Sequence, residues 1–252
     1  MNRSQAYAAL LQWQAEAGAD EAIGEVAFDR RAEMAAPKNA PSSPALAPAA
    51  APADVDAIAA GAGSIEELAA ILETFDGCAL KKTASRLCLG DGVTTARLML
   101  VGEGPGREED LQGKPFVGRA GQLLDRMLNA IGHDRTSVYI TNCVFWRPPG
   151  NRTPTPEETA VCRPFLDRQI EIVAPDVIIM LGAVAAQTLT GRKEGITKLR
   201  GRWFDIDVGG RQIPALAALH PAYLLRQPGQ KKFAWRDMLA AQRKLEEKAG
   251  SA

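Results

Sequence analysis

The chain has 252 residues, of which 24% are charged, and its 30 acidic and 30 basic side chains give a formal net charge of zero. A chain of this length can bury the core of one sizeable domain. It has no long apolar run, and its first residues lack the basic-then-apolar order of a signal peptide, so we expect no membrane span and a cytoplasmic location. In that compartment the four cysteines are expected to be reduced thiols or metal ligands rather than disulfides.

The two parts of the chain carry opposite charge. Residues 1–76 hold 12 acids and 4 bases, a net charge of −8, so residues 77–252 carry a net charge of +8. A basic region of this size is typical of a protein that binds a polyanion such as nucleic acid. Ordinary solvated lysines and arginines would give the same balance, so charge alone leaves both interpretations open.

The N-terminal part of the chain is predicted to lie outside the main domain. Residues 1–35 are expected to form a helical segment, because apolar side chains recur at helical spacing over residues 5–27. Residues 36–60 are predicted to be a linker, since much of this stretch is alanine and proline. The helical segment is a candidate surface for a protein partner through its larger apolar side chains, which include Leu10, Leu11 and Trp13.

Residues 61–252 are predicted to form the main domain. A helix is expected from Ser64 to Phe75, with Ser64 and Glu67 forming a capping box. Strands are then predicted at Arg97–Glu103, Val138–Asn142, Asp176–Leu181 and Ile213–Leu219. Helices are predicted at Arg119–Ile131, Pro156–Val173, Ala183–Leu189 and Lys231–Lys248. This alternation indicates a parallel sheet with helices on both faces, to which residues 199–208 and the two glycines after them add a hairpin.

The loop after the first of these strands carries the strongest functional signal. Its glycines, Gly102, Gly104 and Gly106, let backbone approach a bound group closely. Loops at the carboxyl ends of parallel strands are where open α/β sheets bind ligands. Acidic side chains in the same loop favour acid–base chemistry or the orientation of a water molecule over phosphate binding.

Further polar and aromatic residues are expected at the same sheet edge. Asn142 ends the second predicted strand, His220 follows the fourth, and Phe116 lies at the far end of the glycine-rich loop. An acidic loop, an amide, an aromatic ring and an imidazole at one edge form a candidate site. Structural roles stay open as alternatives, Asn142 as a turn residue and Phe116 as a core residue, while His133 is expected to be a solvated loop residue.

Several common motifs are absent from the sequence. Gly102, Gly104 and Gly106 lack the spacing of the dinucleotide-binding fingerprint, and Gly113-Lys114 is followed by a proline rather than by the Ser or Thr of a P-loop. No Gly-x-Ser-x-Gly motif occurs, which disfavours the usual hydrolase elbow. The two histidines lie far apart in sequence, which disfavours a simple metallohydrolase.

Five motifs together resemble those of the type-4 uracil-DNA glycosylases. They are Gly-Glu-Gly-Pro-Gly-Arg-Glu-Glu-Asp (102–110), Lys-Pro-Phe-Val-Gly-Arg-Ala-Gly-Gln-Leu-Leu (114–124), Tyr-Ile-Thr-Asn (139–142), Arg-Pro-Pro-Gly-Asn-Arg (147–152) and His-Pro-Ala-Tyr-Leu-Leu-Arg (220–226). The resemblance covers about residues 76–245 and implies a three-layer α/β/α fold with a four-stranded parallel sheet. It also implies that residues 61–252 are a catalytic domain that excises uracil from DNA, leaving an abasic site, in base-excision repair. We expect the protein to act as a monomer on uracil-containing DNA.

The resemblance implies roles for the residues around the base. The target base must leave the stack and enter a pocket, where Phe116 matches the aromatic ring that stacks on it. Asn142 matches the amide that reads the pyrimidine edge, because one side chain can accept from N3–H and donate to O4. His220 matches the imidazole placed near uracil O2, where a donor stabilises the charge that develops on the base, in either its neutral or its charged form. Gly104 matches a backbone position that lines the pocket.

The acids of the glycine-rich loop are ranked by the same resemblance. Glu103 matches a pocket-lining position and is the first candidate to orient the attacking water or to stabilise positive charge on the sugar. Glu109 matches a further acid of the family and is the second candidate for that role. Glu108 and Asp110 are expected to be solvated.

Five residues outside the pocket are candidate DNA contacts. Leu224 and Leu225 follow the histidine and match an apolar wedge that fills the vacated stack, with Arg226 for a phosphate. Lys198 and Arg200 are further candidate phosphate contacts. The alternatives are that the leucines begin a buried helix and that the basic side chains are ordinary surface charge.

The chain departs from the family at the cysteines. Type-4 enzymes typically hold a [4Fe–4S] cluster on four cysteines, of which Cys78 and Cys162 match the first and fourth, whereas Lys81 and Trp146 occupy the second and third positions. Cys78 and Cys162 are thus the candidate metal ligands, and the spacing disfavours a cluster without excluding it; the cysteines at non-matching positions are Cys88 and Cys143. Without a cluster, Trp146 and the stem of Lys81 are expected to pack in its place. The implied chemistry itself requires no cofactor.

Two other functions are weighed on this fold. The missing cysteines and the N-terminal segment would suit a non-catalytic DNA-binding or polymerase-associated module, and the intact motif set argues against it. Relatives that trap uracil covalently carry a histidine in the loop after the second strand. The corresponding loop here, Arg147 to Pro156, has none, so this activity is disfavoured.

Overall fold

The computed structural model describes residues 52–250, so the predicted segment 1–35 and residues 36–51 of the predicted linker lie outside the described residues. The end of the predicted linker differs from expectation, because it forms helix α1 (Pro52–Ala60). Val55 and Ala59 are one helical turn apart and both are buried in the core, where α1 contacts helix α5 (Pro156–Val173). The helix begins at Pro52, where proline is well tolerated, and its alanines favour helix, so burial of this apolar pair and local propensity act together.

One mixed sheet organises residues 52–250. Its strands are β1 (Gly90–Gly92), β2 (Leu98–Gly102), β3 (Val138–Asn142), β4 (Val177–Leu181), β5 (Trp203–Val208) and β6 (Arg211–Ala218), in the order β1-β3-β2-β4-β6-β5. The inner strands β3, β2, β4 and β6 are parallel, and β1 and β5 pair antiparallel at the two edges. The predicted α/β class is confirmed, but the prediction of a four-stranded sheet is not, because the described sheet has six strands. The three-residue β1, Gly-Asp-Gly, gives no strand signal in the sequence.

Helices alternate with the inner strands as the sequence predicts. Besides α1 and α5 they are α2 (Ile65–Thr74), α3 (Arg107–Gln112), α4 (Arg119–Asn129), α6 (Ala183–Thr190), α7 (Ile196–Leu199), α8 (Pro221–Arg226) and α9 (Lys231–Ala249). Short 3₁₀ turns occur at Ala79–Lys82, Pro149–Asn151 and Pro228–Gln230. The predicted inner strands and long helices end within two residues of the observed bounds, whereas the short helices α3 and α7 were not predicted, and α8 corresponds to the alternative in which Leu224 and Leu225 belong to a buried helix. No helix within residues 52–250 is long and apolar enough to span a membrane.

The sheet separates two apolar layers. Met99 and Val101 of β2 belong to a core cluster with α1, α2, α5 and α6, and Leu98 and Leu100 belong to a second cluster with α4 and α9. Successive side chains of a strand point to opposite faces, so a strand covered on both sides reads as a continuous apolar run. This arrangement confirms the prediction of helices on both faces.

The inner strands bring their carboxyl ends to one edge of the sheet. Gly102, which ends β2, lies in register with Asn142, which ends β3, and Leu181 of β4 lies beside Ala218 of β6. The chain continues from β2 to β3 on one side and from β4 to β6 on the other, so strand order reverses between β2 and β4. Such a switch point opens a crevice at the carboxyl ends of the strands.

Candidate active site at the carboxyl edge of the sheet

A cavity of about 490 Å³ lies at this edge, within the range of about 300–1,000 Å³ that is usual for small-ligand pockets. Seven of the residues that line it are predicted site residues: Glu103, Gly104, Glu109, Phe116, Asn142, His220 and Arg226. The loop after β3 closes one side with residues 151–154, and Tyr223 of α8 lies on another. The structure therefore brings the residues predicted around the base into one cavity.

Phe116 and Asn142 converge above Gly102. A Cβ atom at Gly102 would lie 2.5 Å from Phe116 Cζ and 2.4 Å from Asn142 Oδ1, so only glycine leaves room for both side chains. The Phe116 ring is 5% exposed, and its centroid lies 5.5 Å from that of the His220 imidazole, with 30° between the two planes. Strand β2 thus ends in a glycine because the aromatic ring and the amide occupy the space of its side chain.

Asn142 carries an acceptor with no partner. The residue is 2% exposed, and its Oδ1 has no hydrogen-bond partner among the described residues. A buried polar atom without a partner costs about 1–3 kcal/mol, so native proteins rarely leave one in place without a reason. Because Asn142 lines the cavity, a bound N–H donor would satisfy this atom.

His220 is held as a neutral donor. It is the N-cap of α8, and its Nδ1 accepts a hydrogen bond of 3.1 Å from the Ala222 N–H. Since Nδ1 accepts, the ring proton lies on Nε2. Burial, and then the positive charge of Arg226, lower the pKa of His220 to about 4. The sequence leaves the charge state of this imidazole open, and the structure makes it neutral near pH 7.

The two candidate acids differ in their bonding. Glu109 Oε2 accepts from the Gly106 N–H at 3.1 Å, and Glu109 Oε1 accepts from the N–H groups of Val117 and Gly118 at 3.0 and 2.9 Å. Its carboxylate therefore braces one loop segment against another. Glu103 is half-buried in the cavity wall, and its carboxylate makes no ion pair with a described residue.

The expectation that Asp110 is solvated is wrong. Asp110 is 4% exposed, and its carboxylate accepts from Ser85 N–H at 2.7 Å, Ser85 Oγ at 3.0 Å and Arg86 N–H at 3.3 Å. These contacts fix the start of α3 to the segment before β1. The partners lie 24 and 25 residues upstream, so no local sequence signal indicates them.

Several predicted DNA contacts have structural partners instead. Leu224 is fully buried against Leu123 and Ala234, so it is a core residue rather than a free wedge, and Leu225 is half-buried beside the same cluster. Arg200 pairs with the buried Asp237. Short apolar runs after a histidine do not distinguish an exposed wedge from the buried face of a helix, which accounts for the difference.

Lys198 and Arg200 lie away from the lining of the cavity. Lys198 is exposed, and the guanidinium of Arg200, besides its pair with Asp237, lies 4.8 Å from the centre of the Phe233 ring. Only Arg226 of the five predicted DNA contacts lines the cavity, and it is exposed. Of the three predicted phosphate contacts, Arg226 therefore lies at the cavity, and Lys198 and Arg200 lie outside it.

A basic surface that the sequence analysis missed lies at the start of α9. Lys231, Lys232 and Arg236 are exposed, and the cationic groups of Lys232 and Arg236 lie 5.2 and 5.9 Å from the Phe233 ring. Phe233 and Leu225 of α8 pack against the same buried cluster, so this surface and the helix that ends in Arg226 share one apolar core. The first turn of α9 has no acid, although the helix dipole favours acids there. This local departure, visible as Lys-Lys-Phe-Ala-Trp-Arg, is the signal that would have found it.

Fold and cavity together define an α/β protein with a pocket lined by an aromatic ring, an amide and an imidazole. The model of the uracil DNA glycosylase superfamily matches residues 89–241. A type-4 uracil-DNA glycosylase of Thermotoga maritima is 50% identical over 150 residues, which are 59% of this chain and 77% of that protein. The relatives of that name from Archaeoglobus fulgidus and Pyrobaculum aerophilum are each 40% identical, over 66% and 65% of this chain and 85% and 86% of theirs. The chain belongs to the uracil DNA glycosylase superfamily, as a member of its type-4 family.

The residues at the family's cluster position do not fit a four-cysteine cluster. Cys78 and Cys162 are both buried, free thiols whose side chains interact. The neighbouring Cys78 thiol, and then burial, raise the pKa of the Cys162 thiol well above its usual range. Residues 52–250 contain no group of three or more His, Cys, Asp or Glu side chains that could hold a metal ion. Two thiols therefore meet where the family has four.

Lys81 and Trp146 have other contacts at this position. Lys81 Nζ donates to the carbonyl oxygens of Leu72, Glu73 and Phe75, at 3.2, 2.7 and 2.9 Å, and so satisfies the C-terminus of α2. Trp146 is 2% exposed and belongs to the same core cluster as Cys78 and Cys162. We call these four residues, Cys78, Lys81, Trp146 and Cys162, the cysteine corner.

Proposed function

We propose that this chain is a uracil-DNA glycosylase that takes uracil out of the DNA stack and hydrolyses its N-glycosidic bond, leaving an abasic site for base-excision repair. The observation that carries this proposal is the unpartnered Oδ1 of Asn142, which lies in one cavity with Phe116 and the neutral His220. These three groups supply an acceptor, a stacking surface and a donor to one planar base. Membership of the type-4 family supports the same activity.

Uracil is recognised by the hydrogen-bonding pattern of its edge. Asn142 Oδ1 accepts from uracil N3–H, and the amide N–H₂ of the same residue donates to O4. Cytosine presents an acceptor at N3 and a donor at N4, so both contacts would be mismatched. A site with buried polar groups rejects such a ligand strongly, because those groups are left unpaired. Phe116 stacks on the face of the base, whichever base enters.

Bond cleavage is assisted at both ends of the breaking bond. As the C1′–N1 bond breaks, its electron pair moves to the base, and His220 Nε2–H donates to O2, where negative charge develops. A water molecule adds to C1′ of the sugar and releases a proton. Glu103 orients this water or stabilises the positive charge on the sugar, because its carboxylate lies in the cavity wall and makes no ion pair with a described residue. Glu109 positions the loop, since backbone N–H groups occupy both of its oxygens.

The basic surface beside the cavity is the proposed binding site for the phosphates of the DNA backbone. Arg226 lines the cavity mouth, and Lys231, Lys232 and Arg236 continue the positive charge along the start of α9. Each phosphate neutralised by Lys or Arg contributes to binding that weakens as salt rises. Of the two leucines predicted as a wedge, Leu225, which is only half-buried, stays a candidate, whereas Leu224 is buried.

No cofactor takes part in this chemistry, and we infer that the cysteine corner holds no [4Fe–4S] cluster. Iron and sulfide analysis of anaerobically purified protein, with its visible spectrum, tests this inference. We expect no stoichiometric iron and no absorption band of a cluster; near-stoichiometric iron would overturn it. The cytoplasmic location, the monomeric state and a protein partner for residues 1–35 stay predictions from the sequence.

An excision assay tests the proposed function. We expect the protein to make a uracil-containing oligonucleotide alkali-labile at the uracil, in single- or double-stranded form, and to leave a thymine control intact. DNA binding without excision would favour a non-catalytic DNA-binding or polymerase-associated module. The presence of Glu103, Phe116, Asn142 and His220 in one cavity argues against that module.

A further inference from the structure

The stacking residue Phe116 has a strained backbone. Its φ of 55° lies in the left-handed region, which glycine adopts readily and bulky residues rarely adopt. Strain of this kind persists only where the surroundings over-determine it, and it is concentrated at functional sites. The contacts that hold Phe116 in this conformation therefore bear on how its ring meets a base.

Arg135 holds the carbonyl side of the strained segment. It lies between α4 and β3, and its guanidinium donates to the carbonyl oxygens of Pro115, at 3.1 Å, and of Phe116. Two carboxylates fix the guanidinium in turn: Asp91 of β1 at 2.8 Å and Asp125 of α4 at 2.9 Å. A planar guanidinium offers donors in a fixed fork, which suits it to join a sheet edge, a helix and a loop at once.

Glu109 and Gly121 restrict the same segment from other sides. Glu109 accepts from the N–H groups of Val117 and Gly118, which follow Phe116 directly. A Cβ atom at Gly121 would lie 1.6 Å from the Phe116 carbonyl oxygen, so helix α4 packs directly on this peptide group. A cation on the carbonyl side and a carboxylate on the amide side thus hold the strained residue between them.

We propose that Arg135 is a positioning residue for base excision, which fixes Phe116 in its left-handed conformation and so presents a preorganised stacking surface to the flipped base. The proposal rests on the proposed function. Arg135 does not line the cavity, and Phe116 is the cavity-lining residue that its guanidinium contacts. Preorganisation of the ring lowers the cost of ordering the loop when a base enters.

A double-mutant cycle separates this role from a general contribution to folding. Arg135→Lys keeps the charge and loses the fork, and we expect it to lower kcat/KM on a single-stranded uracil oligonucleotide by about 10-fold. Phe116→Ala alone is expected to lower kcat/KM by about 5- to 150-fold, the range of base stacking on an aromatic side chain. In the Phe116→Ala background, Arg135→Lys should cause no further loss, because the aromatic ring whose position Arg135 fixes is no longer there.

Equal losses from Arg135→Lys in both backgrounds, or no loss in either, would overturn the proposal. Arg243→Lys, at an exposed arginine of α9, is the matched control and should leave kcat/KM unchanged. If Arg135→Lys fails to fold, Asp125→Asn weakens the hold on the guanidinium more mildly. It should lower kcat/KM in the same direction, again only when Phe116 is present.

Hydrogen exchange gives a readout that does not depend on activity. With Arg135→Lys, the Val117 and Gly118 amides should exchange at least about 10-fold faster than in the unaltered protein, while the strand amides of β2 keep their rates. Unchanged exchange at both amides would overturn the role of Arg135. If the unaltered protein excises no uracil, the proposed function fails, and the exchange result still decides whether Arg135 holds this loop.

Discussion

The cavity at the sheet edge and the cysteine corner differ in how their polar groups are satisfied. In the cavity, Asn142 Oδ1 has no partner among the described residues, and the carboxylate of Glu103 makes no ion pair with one. In the cysteine corner, Lys81 donates to three carbonyl oxygens, and the two free thiols are buried beside each other. Groups left free in a buried wall are available to a ligand, whereas groups bonded within the fold stabilise it. The comparison indicates that the cavity is built to bind a ligand, whereas the cysteine corner contributes to the stability of the fold.

The largest expected effect tests the cavity through His220. His220→Ala removes the donor to uracil O2, and we expect kcat to fall by about 10²- to 10³-fold, as for the loss of one donor to a developing anion. His133→Ala is the matched control, because His133 bonds to Gln242 at 2.9 Å and does not line the cavity. Similar rates for the two variants in single-turnover excision would contradict the role of His220.

A smaller loss is expected at the amide. Asn142→Ala removes both contacts to the pyrimidine edge, and we expect kcat/KM on uracil DNA to fall by about 5- to 150-fold, which corresponds to about 1–3 kcal/mol. Competition between uracil and cytosine oligonucleotides should show reduced discrimination. Asn129→Ala, at an exposed position of α4, serves as the control. Full discrimination in the Asn142 variant would show that another group reads the base.

A substitution in the cysteine corner should lower the stability of the fold and leave the excision activity unchanged. Lys81→Met leaves three carbonyl oxygens of the α2 C-terminus without their donor, and we expect the free energy of unfolding to fall by about 1–3 kcal/mol. Excision at 25 °C should stay within twofold of the unaltered protein, roughly the noise of additivity between distant sites. Urea denaturation measures the first quantity, with the exposed Lys82→Met as control. A loss of excision at unchanged stability would mean that this corner takes part in the chemistry.

The smallest expected effect is a flat pH profile. Burial and Arg226 lower the pKa of His220 to about 4, below the usual 6.5, so the imidazole stays neutral between pH 5.5 and pH 8. We therefore expect the pH profile of kcat to contain no inflection near pH 6.5 that is due to His220. The same shift makes the folded state less stable as pH falls from 6.5 towards 4, because only the unfolded chain gains the proton there. An NMR titration of His220 with a midpoint near 6.5 would contradict the neutral assignment.

The sequence predicts the sheet edge well because its signals are local. Apolar runs and glycine-rich turns give the inner strands, and parallel strands bring their ends together, so Asn142 and His220 meet although 78 positions separate them in the chain. The α/β class and the layers of helices follow from the alternation of strands and helices. Edge strand β1 could not be predicted, because it has only three residues, two of them glycine, and these show no hydrophobic periodicity.

Residues whose partners are distant in sequence escape prediction. Asp110 is buried by Ser85 and Arg86, and Arg135 joins Asp91, Asp125 and the Phe116 loop. Leu224 is an apolar residue of the kind expected in a wedge, yet its side chain is buried in the core where α8 and α9 pack. Tertiary contacts determine the burial and the bonding partners of such residues, and the local sequence pattern does not indicate those contacts.

Excision by iron-depleted protein tests the central claim most directly. The protein is dialysed against a chelator, its iron content is measured, and single-turnover release of uracil is compared with that of the untreated protein. We expect an unchanged rate on uracil DNA and none on the thymine control, because we propose that the cavity residues supply the chemistry and infer that the cysteine corner holds no cluster. Loss of excision on chelation, with recovery after reconstitution with iron and sulfide, would contradict this account.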